Sequence, residues 1–242
     1  MCLQYLAFKM IQPEEENNLP PWPTAPVFGC AMDHYGKNRW LAFSPKLRRN
    51  VTLYNDLEYD HWVLIESNPL VKSFCEKPRR VRVHLSTGIV TTLFDMWLLW
   101  DTNEQEYRGV KYLCDLSQAD LNSRIHRQIQ AQEKWCALSN VKHLTITDEV
   151  IRANPVSLSN WKFILSTLAC TQDIDLGSHI ENISRVVKSR GGGTLQEIER
   201  LFPKIDRTLV MASVFTLLHR GLLKASLDNQ YLNASTKIDV VL

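Results

Sequence analysis

Hydrophobic and polar positions show no sustained period before Val51 and a series of short, distinct periods after it. The leading stretch includes PEEENNLPPWPTAP (Pro13–Pro26), which holds five of the ten prolines. Prolines at that density remove the amide donors that a helix or a central strand requires. Residues 1–45 therefore read as an irregular segment, and SPKLRRN (Ser44–Asn50) as a short basic connection. VTLY (Val51–Tyr54) is strand-like. Leu57, His61, Leu64 and Ile65 then recur at helical spacing and predict a helix over Asp56–Ser67. NPLVKSF (Asn68–Phe74) reads as a turn. Val81, Val83 and Leu85 alternate with Arg80, Arg82 and His84, the pattern of a half-buried strand. After a turn at STG (Ser86–Gly88), Ile89–Trp100 reads as one strand and Glu106–Leu113 as the next. Leu121, Ile125, Ile129 and Trp135 mark a helix over Gln118–Leu138. Val141–Ile146 reads as a further strand, and TDEVI opens a helix capped by Thr147 or Asp148.

After RANP (Arg152–Pro155) the character changes, and from Ser159 helical periods dominate. RGGG (Arg190–Gly193) closes a helix that includes Ile180–Lys188. In TLQEIERLF, Thr194 and Glu197 have capping-box spacing. The next helix runs from Asp206 as cap to Gly221 as stop. LLKASLDNQYLNA reads as a short hairpin turning near Asp228–Asn229. The order helix, turn, helix, hairpin is that of a winged helix. The chain thus divides into an irregular segment (1–45), an α+β unit with a mixed sheet flanked by helices (46–155) and a winged-helix-like docking domain (156–242).

Composition narrows the function. The chain has 242 residues, 45% apolar and 22% charged, as in ordinary soluble domains. The net charge of +2 creates no global field, so any nucleic-acid contact must be a local basic patch. The six cysteines include no C-x-x-C pair and none stands near a histidine at zinc-ligand spacing, which argues against a disulfide framework or a zinc site. The first residues do not form a secretory leader, and the most apolar run, Thr92–Trp100, is too short to span a bilayer and contains Asp95. A soluble intracellular protein with no membrane partner is expected. RGGG lacks the lysine and preceding strand of a phosphate loop, so the chain itself is not expected to hydrolyse ATP. The seven histidines are scattered and read as structural or exposed.

Three residues point to metal-assisted phosphodiester chemistry. Carboxylates hold hard cations such as Mg²⁺, and a fixed lysine orients a nucleophile and stabilises developing charge. Glu58 lies on the first helix, Asp95 interrupts an apolar strand, and Lys111 shares a face with Gly109 on the strand after it. A buried carboxylate at Asp95 requires a cationic partner. Structural readings stand beside the catalytic one. Asn55 and Glu58 fit a capping box, and Asp95 with Lys111 fits a cross-strand ion pair. The densest basic clusters, Lys46, Arg48 and Arg49 and then Lys77, Arg79, Arg80 and Arg82, are the candidate phosphate contacts; a solvated basic edge is the alternative.

LYNDLEYDHWVLIESNPLVKSFCEKP, followed by TLFD, YRGVK and VKHLTITDEVI, resembles the TnsA-type transposon-end endonucleases. The resemblance covers Val51–Ile151 by motif, as Asp56-Leu57-Glu58, Phe94-Asp95 and Gly109-Val110-Lys111. It implies a restriction-endonuclease-like domain in which Glu58 and Asp95 hold Mg²⁺, with Mn²⁺ able to replace it, and Lys111 positions the water. It further implies nicking of the 5′ transposon ends, a TnsB-type transposase partner, a TnsC-type AAA+ ATPase docked on the C-terminal domain, and a bacterial cytoplasmic location, at the nucleoid when in complex. The family pattern has Gln or Glu where Gly109 stands. The Val110 carbonyl and Glu66 are the substitute oxygens, whereas Glu106 has the wrong parity. The alternatives are a nuclease-fold adaptor that does not cut and a stand-alone restriction or repair nuclease. The Asp206–Arg220 helix is poor in base-reading side chains, which favours protein docking there.

Overall fold

The computed structural model describes residues 22–27, 38–117 and 123–241. Most of the irregular segment expected over residues 1–45, and the start expected for the helix at 118–122, lie outside these. Residues 40–44 are not irregular. Strand β1 (Trp40–Ser44) pairs antiparallel with β2 (Arg49–Leu53), Trp40 opposite Leu53. Leu41 is 71% exposed and only Ser44 is fully buried, so no alternation marks the strand in the sequence. Helix α1 covers Asp56–Ser67, as its spacing predicts.

Two other readings are corrected. Where a turn was expected, β3 (Val71–Glu76) forms. Its register slips between Val71 and Ser73, and such a bulge breaks the alternation that identifies a strand. The single strand expected over Ile89–Trp100 is two strands in different sheets. β4 (Arg80–Leu85) and β5 (Gly88–Leu93) make their own hairpin, and at Phe94–Asp95 the chain leaves it for β6 (Met96–Trp100). Then come β7 (Gln105–Lys111), α2 (Leu113–Leu116), α3 (Arg124–Leu138), β8 (Lys142–Thr147) and α4 (Asp148–Ile151).

The central sheet has the order β3-β6-β7-β8. Its first three strands are antiparallel, while β7 and β8 are parallel and joined by the crossover helix α3. α1 covers one face, where Leu57 clusters with Val110 and Ile151. α3 covers the other, where Trp135 meets Tyr107 edge-on at 5.4 Å. The outcome is the expected α+β class, a mixed sheet flanked by helices.

Helix α5 (Pro155–Cys170) starts at Pro155 rather than Ser159, because Asn154 Oδ1 accepts the Ser157 amide at 3.0 Å and proline suits the first turn. α6 (Gly177–Arg190) ends at Gly191, whose φ of 76° is left-handed. β9 (Gly192–Thr194), α7 (Leu195–Leu201) and α8 (Arg207–His219) follow, and Thr194 and Glu197 form the predicted capping box. β10 (Leu223–Ala225) pairs with β11 (Lys237–Val240), which also pairs with β9. The return strand is thus later than a turn at Asp228–Asn229 requires. The buried Asn160 holds the intervening loop instead, donating to Leu227 and Gln230 carbonyls at 2.7 and 2.8 Å and accepting the Leu232 amide at 2.8 Å. One apolar core runs from Val51, Trp62, Phe74 and Leu98 to Ile164, Ile183, Val214 and Phe215. Among the described residues no helix is long and apolar enough to cross a membrane.

Candidate active site

The N-terminus of α1 sets the first carboxylate. Asn55 Oδ1 accepts the Glu58 amide at 2.8 Å, and the Glu58 side chain reaches back to Asn55 Nδ2 at 3.0 Å and the Tyr54 amide at 3.1 Å. Glu58 therefore does belong to the helix cap. The same Oε1 also lies 3.0 Å from Lys77 Nζ. Lys77 Nζ in turn lies 2.7 Å from Asp95 Oδ1. The other Asp95 oxygen accepts the Val110 amide at 2.8 Å and Lys111 Nζ at 2.9 Å. The charges alternate in one row, Glu58–Lys77–Asp95–Lys111, with each side chain between 9 and 17% exposed.

The fold explains the meeting. Asp95 stands where the chain passes from the β4–β5 hairpin to the central sheet, its amide bonded to the Arg108 carbonyl at 3.1 Å. The antiparallel β6–β7 pairing then brings Lys111 beside it. β3 and β6 pair with Glu76 opposite Met96, so the next step of the ladder sets Lys77 opposite Asp95, and the Lys77 amide donates to the Asp95 carbonyl at 3.0 Å. Lys77 adopts a left-handed φ of 45°, which costs a side-chain-bearing residue about 1–2 kcal/mol. Its own carbonyl accepts the Val27 amide at 3.0 Å. The backbone is thus tied on both sides into a strained conformation that aims the ammonium between the two carboxylates.

Burial pushes the Asp95 carboxyl up, but Lys77, Lys111 and the Val110 amide outweigh it and hold the group well below the usual carboxylate range. Burial would lower Lys77, yet Asp95 and Glu58 overcome it and raise the ammonium above its ordinary value. Beneath the row, burial and then Arg108 push His61 down to about 3, so its imidazole is neutral.

Several expected site residues have other partners. Lys77 is not a surface phosphate contact; it is buried at 7% exposure inside the row. Lys46 is not free either. Its ammonium donates to the Asn68 and Val71 carbonyls at 3.0 and 2.8 Å and closes the C-terminal end of α1. Arg49 is clamped by both oxygens of Glu76 at 2.6 Å. Arg79 lies over the Trp135 ring at 5.2 Å. Arg48, Arg80 and Arg82 are exposed. Glu66 is not a substitute ligand: it is buried at the far end of α1, bonded to Ser44 Oγ at 2.6 Å, the Lys46 amide at 2.8 Å and His219 Nε2 at 2.9 Å. Glu106 is engaged by Arg108 and Lys142. The Val110 carbonyl accepts Lys111 Nζ at 3.0 Å.

Among the described residues no group of three or more His, Cys, Asp or Glu side chains is placed to hold a metal ion. The donor chemistry of the row nevertheless fits a hard cation, since Glu58 and Asp95 already converge on one positive centre. That centre is the Lys77 ammonium, so a metal ion enters only by exchange with it. Lys77 reads from sequence as a phosphate contact, and its place in the row stays hidden because β3 does; with that strand recognised, register alone sets Lys77 against Asp95. Gln132 was missed too, although a signal exists: it lies three residues beyond Ile129 on the apolar stripe of α3, and it is 1% exposed. No protein-family model matches the chain, and no curated protein matches it.

Proposed function

We propose that the chain is a Mg²⁺-dependent DNA endonuclease, the subunit that nicks the 5′ ends of a transposon in a TnsA-type system. The observation that carries this reading is the meeting of Glu58, Asp95 and Lys111, from a helix, the β5–β6 junction and a strand, in one row. Glu58, Asp95 and the Val110 carbonyl would hold the ion. When bound, Mg²⁺ lowers the pKa of a water and neutralises the leaving oxygen. Lys111 stays on Asp95 and offers its remaining donor to the attacking oxygen. Lys77 holds the resting site in charge balance, two carboxylates against two ammonium groups. Its departure towards a DNA phosphate leaves a net negative site that attracts a cation. Arg80 and Arg82, on the open face of β4, supply backbone contacts to the duplex.

In the same reading the mixed sheet is restriction-endonuclease-like, and the order α6-β9-α7-α8-β10-β11 is that of a winged helix. Val210, Val214, Phe215 and Leu218 of α8 are buried, so this helix packs the core rather than reading bases. That supports docking of a protein, the TnsC-type ATPase, beside a TnsB-type transposase. One observation favours an adaptor without nuclease activity: Glu58 and Asp95 have every carboxylate oxygen bonded within the chain.

A transposition assay with the full partner set separates the two. The native chain should yield simple insertions and Asp95→Ala cointegrates, read from sequenced product junctions. Cointegrates from both would overturn the nuclease reading in favour of the adaptor.

A further inference from the structure

Three buried polar atoms beside the charged row have no hydrogen-bond partner: Gln132 Oε1, His143 Nε2 and Thr145 Oγ1. They come from α3 and β8 and meet over Gly109 of β7. A Cβ at Gly109 would lie 3.1 Å from Gln132 Oε1 and 3.9 Å from each of the other two. Gly109 is therefore not only a missing side chain. It is the floor of a cradle that any side chain would fill.

The orientation of Gln132 is fixed. Its amide nitrogen donates to the Leu93 carbonyl at 2.9 Å and to Thr92 Oγ1 at 3.2 Å. A carbonyl only accepts, so the NH₂ end must face Leu93 and the oxygen must face Gly109. Gly109 shares its face of β7 with Lys111, the residue that grips Asp95. His143 on the parallel neighbour strand is lowered by burial and by Lys111. The cradle thus presents an amide oxygen, an imidazole nitrogen and a hydroxyl. Buried atoms of this kind are matched in native proteins by a protein group or an ordered water. A water bound to a cation has two hydrogens to give, and this cradle has acceptors to take them.

We propose that Gln132, His143 and Thr145 seat one water molecule, and that this water is a ligand of the cation held by Glu58 and Asp95. Gln132 then supplies, from α3 and through water, the support that Gly109 cannot give from β7. The inference rests on the metal-dependent reading above. It assigns Gln132 a positioning role, and partners of metal ligands of this kind are worth on the order of ten- to hundredfold in metal affinity.

The test is Mn²⁺ titration of the full chain, followed by the electron-spin-resonance signal of the free ion. It is made in the native protein and in a Lys77→Gln background, where the ammonium does not compete. Gln132→Leu and Gly109→Ala should each weaken Mn²⁺ binding at least tenfold in chains that still unfold in one cooperative transition. Gly109→Ala replaces no ligand side chain; its Cβ enters the seat and crowds Gln132 Oε1 at 3.1 Å. The double change Gly109→Gln with Gln132→Ala should restore affinity by moving the amide onto the strand. If Gln132→Leu fails to fold, Gly109→Ala and Thr145→Val carry the test. Binding within twofold of the parent in these variants overturns the inference while the metal reading stands. Absence of Mn²⁺ binding in both backgrounds, with Asp95→Asn no different, overturns the metal reading and this inference together.

Discussion

Helix α1 carries a buried glutamate near each end, and the two live in different chemistry. Glu58, at the N-terminus, meets a lysine that also faces a second carboxylate. Glu66, two turns on, is 0% exposed and meets a serine hydroxyl, a backbone amide and His219. The first site is a nearly buried row of alternating charges; the second is a sealed joint between the sheet and the C-terminal helices. Helical spacing placed both residues on the same rod, but partners decide their work. A carboxylate balanced by long, exchangeable ammonium side chains can trade one cation for another. A carboxylate held by short fixed donors cannot.

The largest effect expected from breaking this contrast is at the sealed joint. Glu66→Ala leaves Ser44, the Lys46 amide and His219 without their acceptor and should cost about 3–5 kcal/mol in urea unfolding, the penalty of opening a buried polar pair. Equal loss from Glu58→Ala would show that both glutamates are structural. Next in size is Lys77→Gln, which should tighten Mn²⁺ binding about tenfold or more, a gain of about 1.4 kcal/mol or more. Unchanged affinity would mean that the ammonium is no competitor. The third effect is acid sensitivity. The Asp95 carboxyl is held low in the folded chain, so its contribution is present above the ordinary carboxylate pKa of about 3.9 and is lost as pH falls below it. Melting temperature should therefore drop more steeply below about pH 4 in the native chain than in Asp95→Asn. The smallest effect belongs to the exposed face of β4. Arg80→Ala and Arg82→Ala should leave stability unchanged within about 0.5 kcal/mol and each flatten the salt dependence of DNA binding by about one unit of slope.

What could be read in advance follows from period and capping. α1, the β4–β5 hairpin, the capping box at Thr194 and the stop at Gly221 all have local signals, and each is local in its cause. Glu58, Asp95 and Lys111 were legible as residue types in plausible places. Their meeting depended on strand order, and β6–β7 adjacency was assumed from sequence succession alone. The misses share one cause. β3 is bulged, β1 is half exposed, and the passage from β5 to β6 is marked by Asp95 alone in an otherwise apolar, strand-prone run. Basic residues were grouped by proximity along the chain, yet Lys46, Arg49 and Lys77 each turn inward to a separate partner. Charge density in a sequence does not reveal which charges are already spent on the protein's own backbone and carboxylates.

The shared core has a consequence in time. The apolar face of α1 shares one cluster with Leu158, Ile164, Val214 and Phe215, and Glu66 finds His219 only across 153 residues of chain. Contacts so distant in sequence form late, and a growing polypeptide emerges from its N-terminal side. While the ribosome is still adding the last helices, the carboxylate row has been synthesised but its scaffold has not closed. A truncated or half-made copy therefore carries every residue of the proposed cutting centre without the rigidity to aim them. For a protein proposed to nick the ends of a transposon, synthesis order is itself a safety catch.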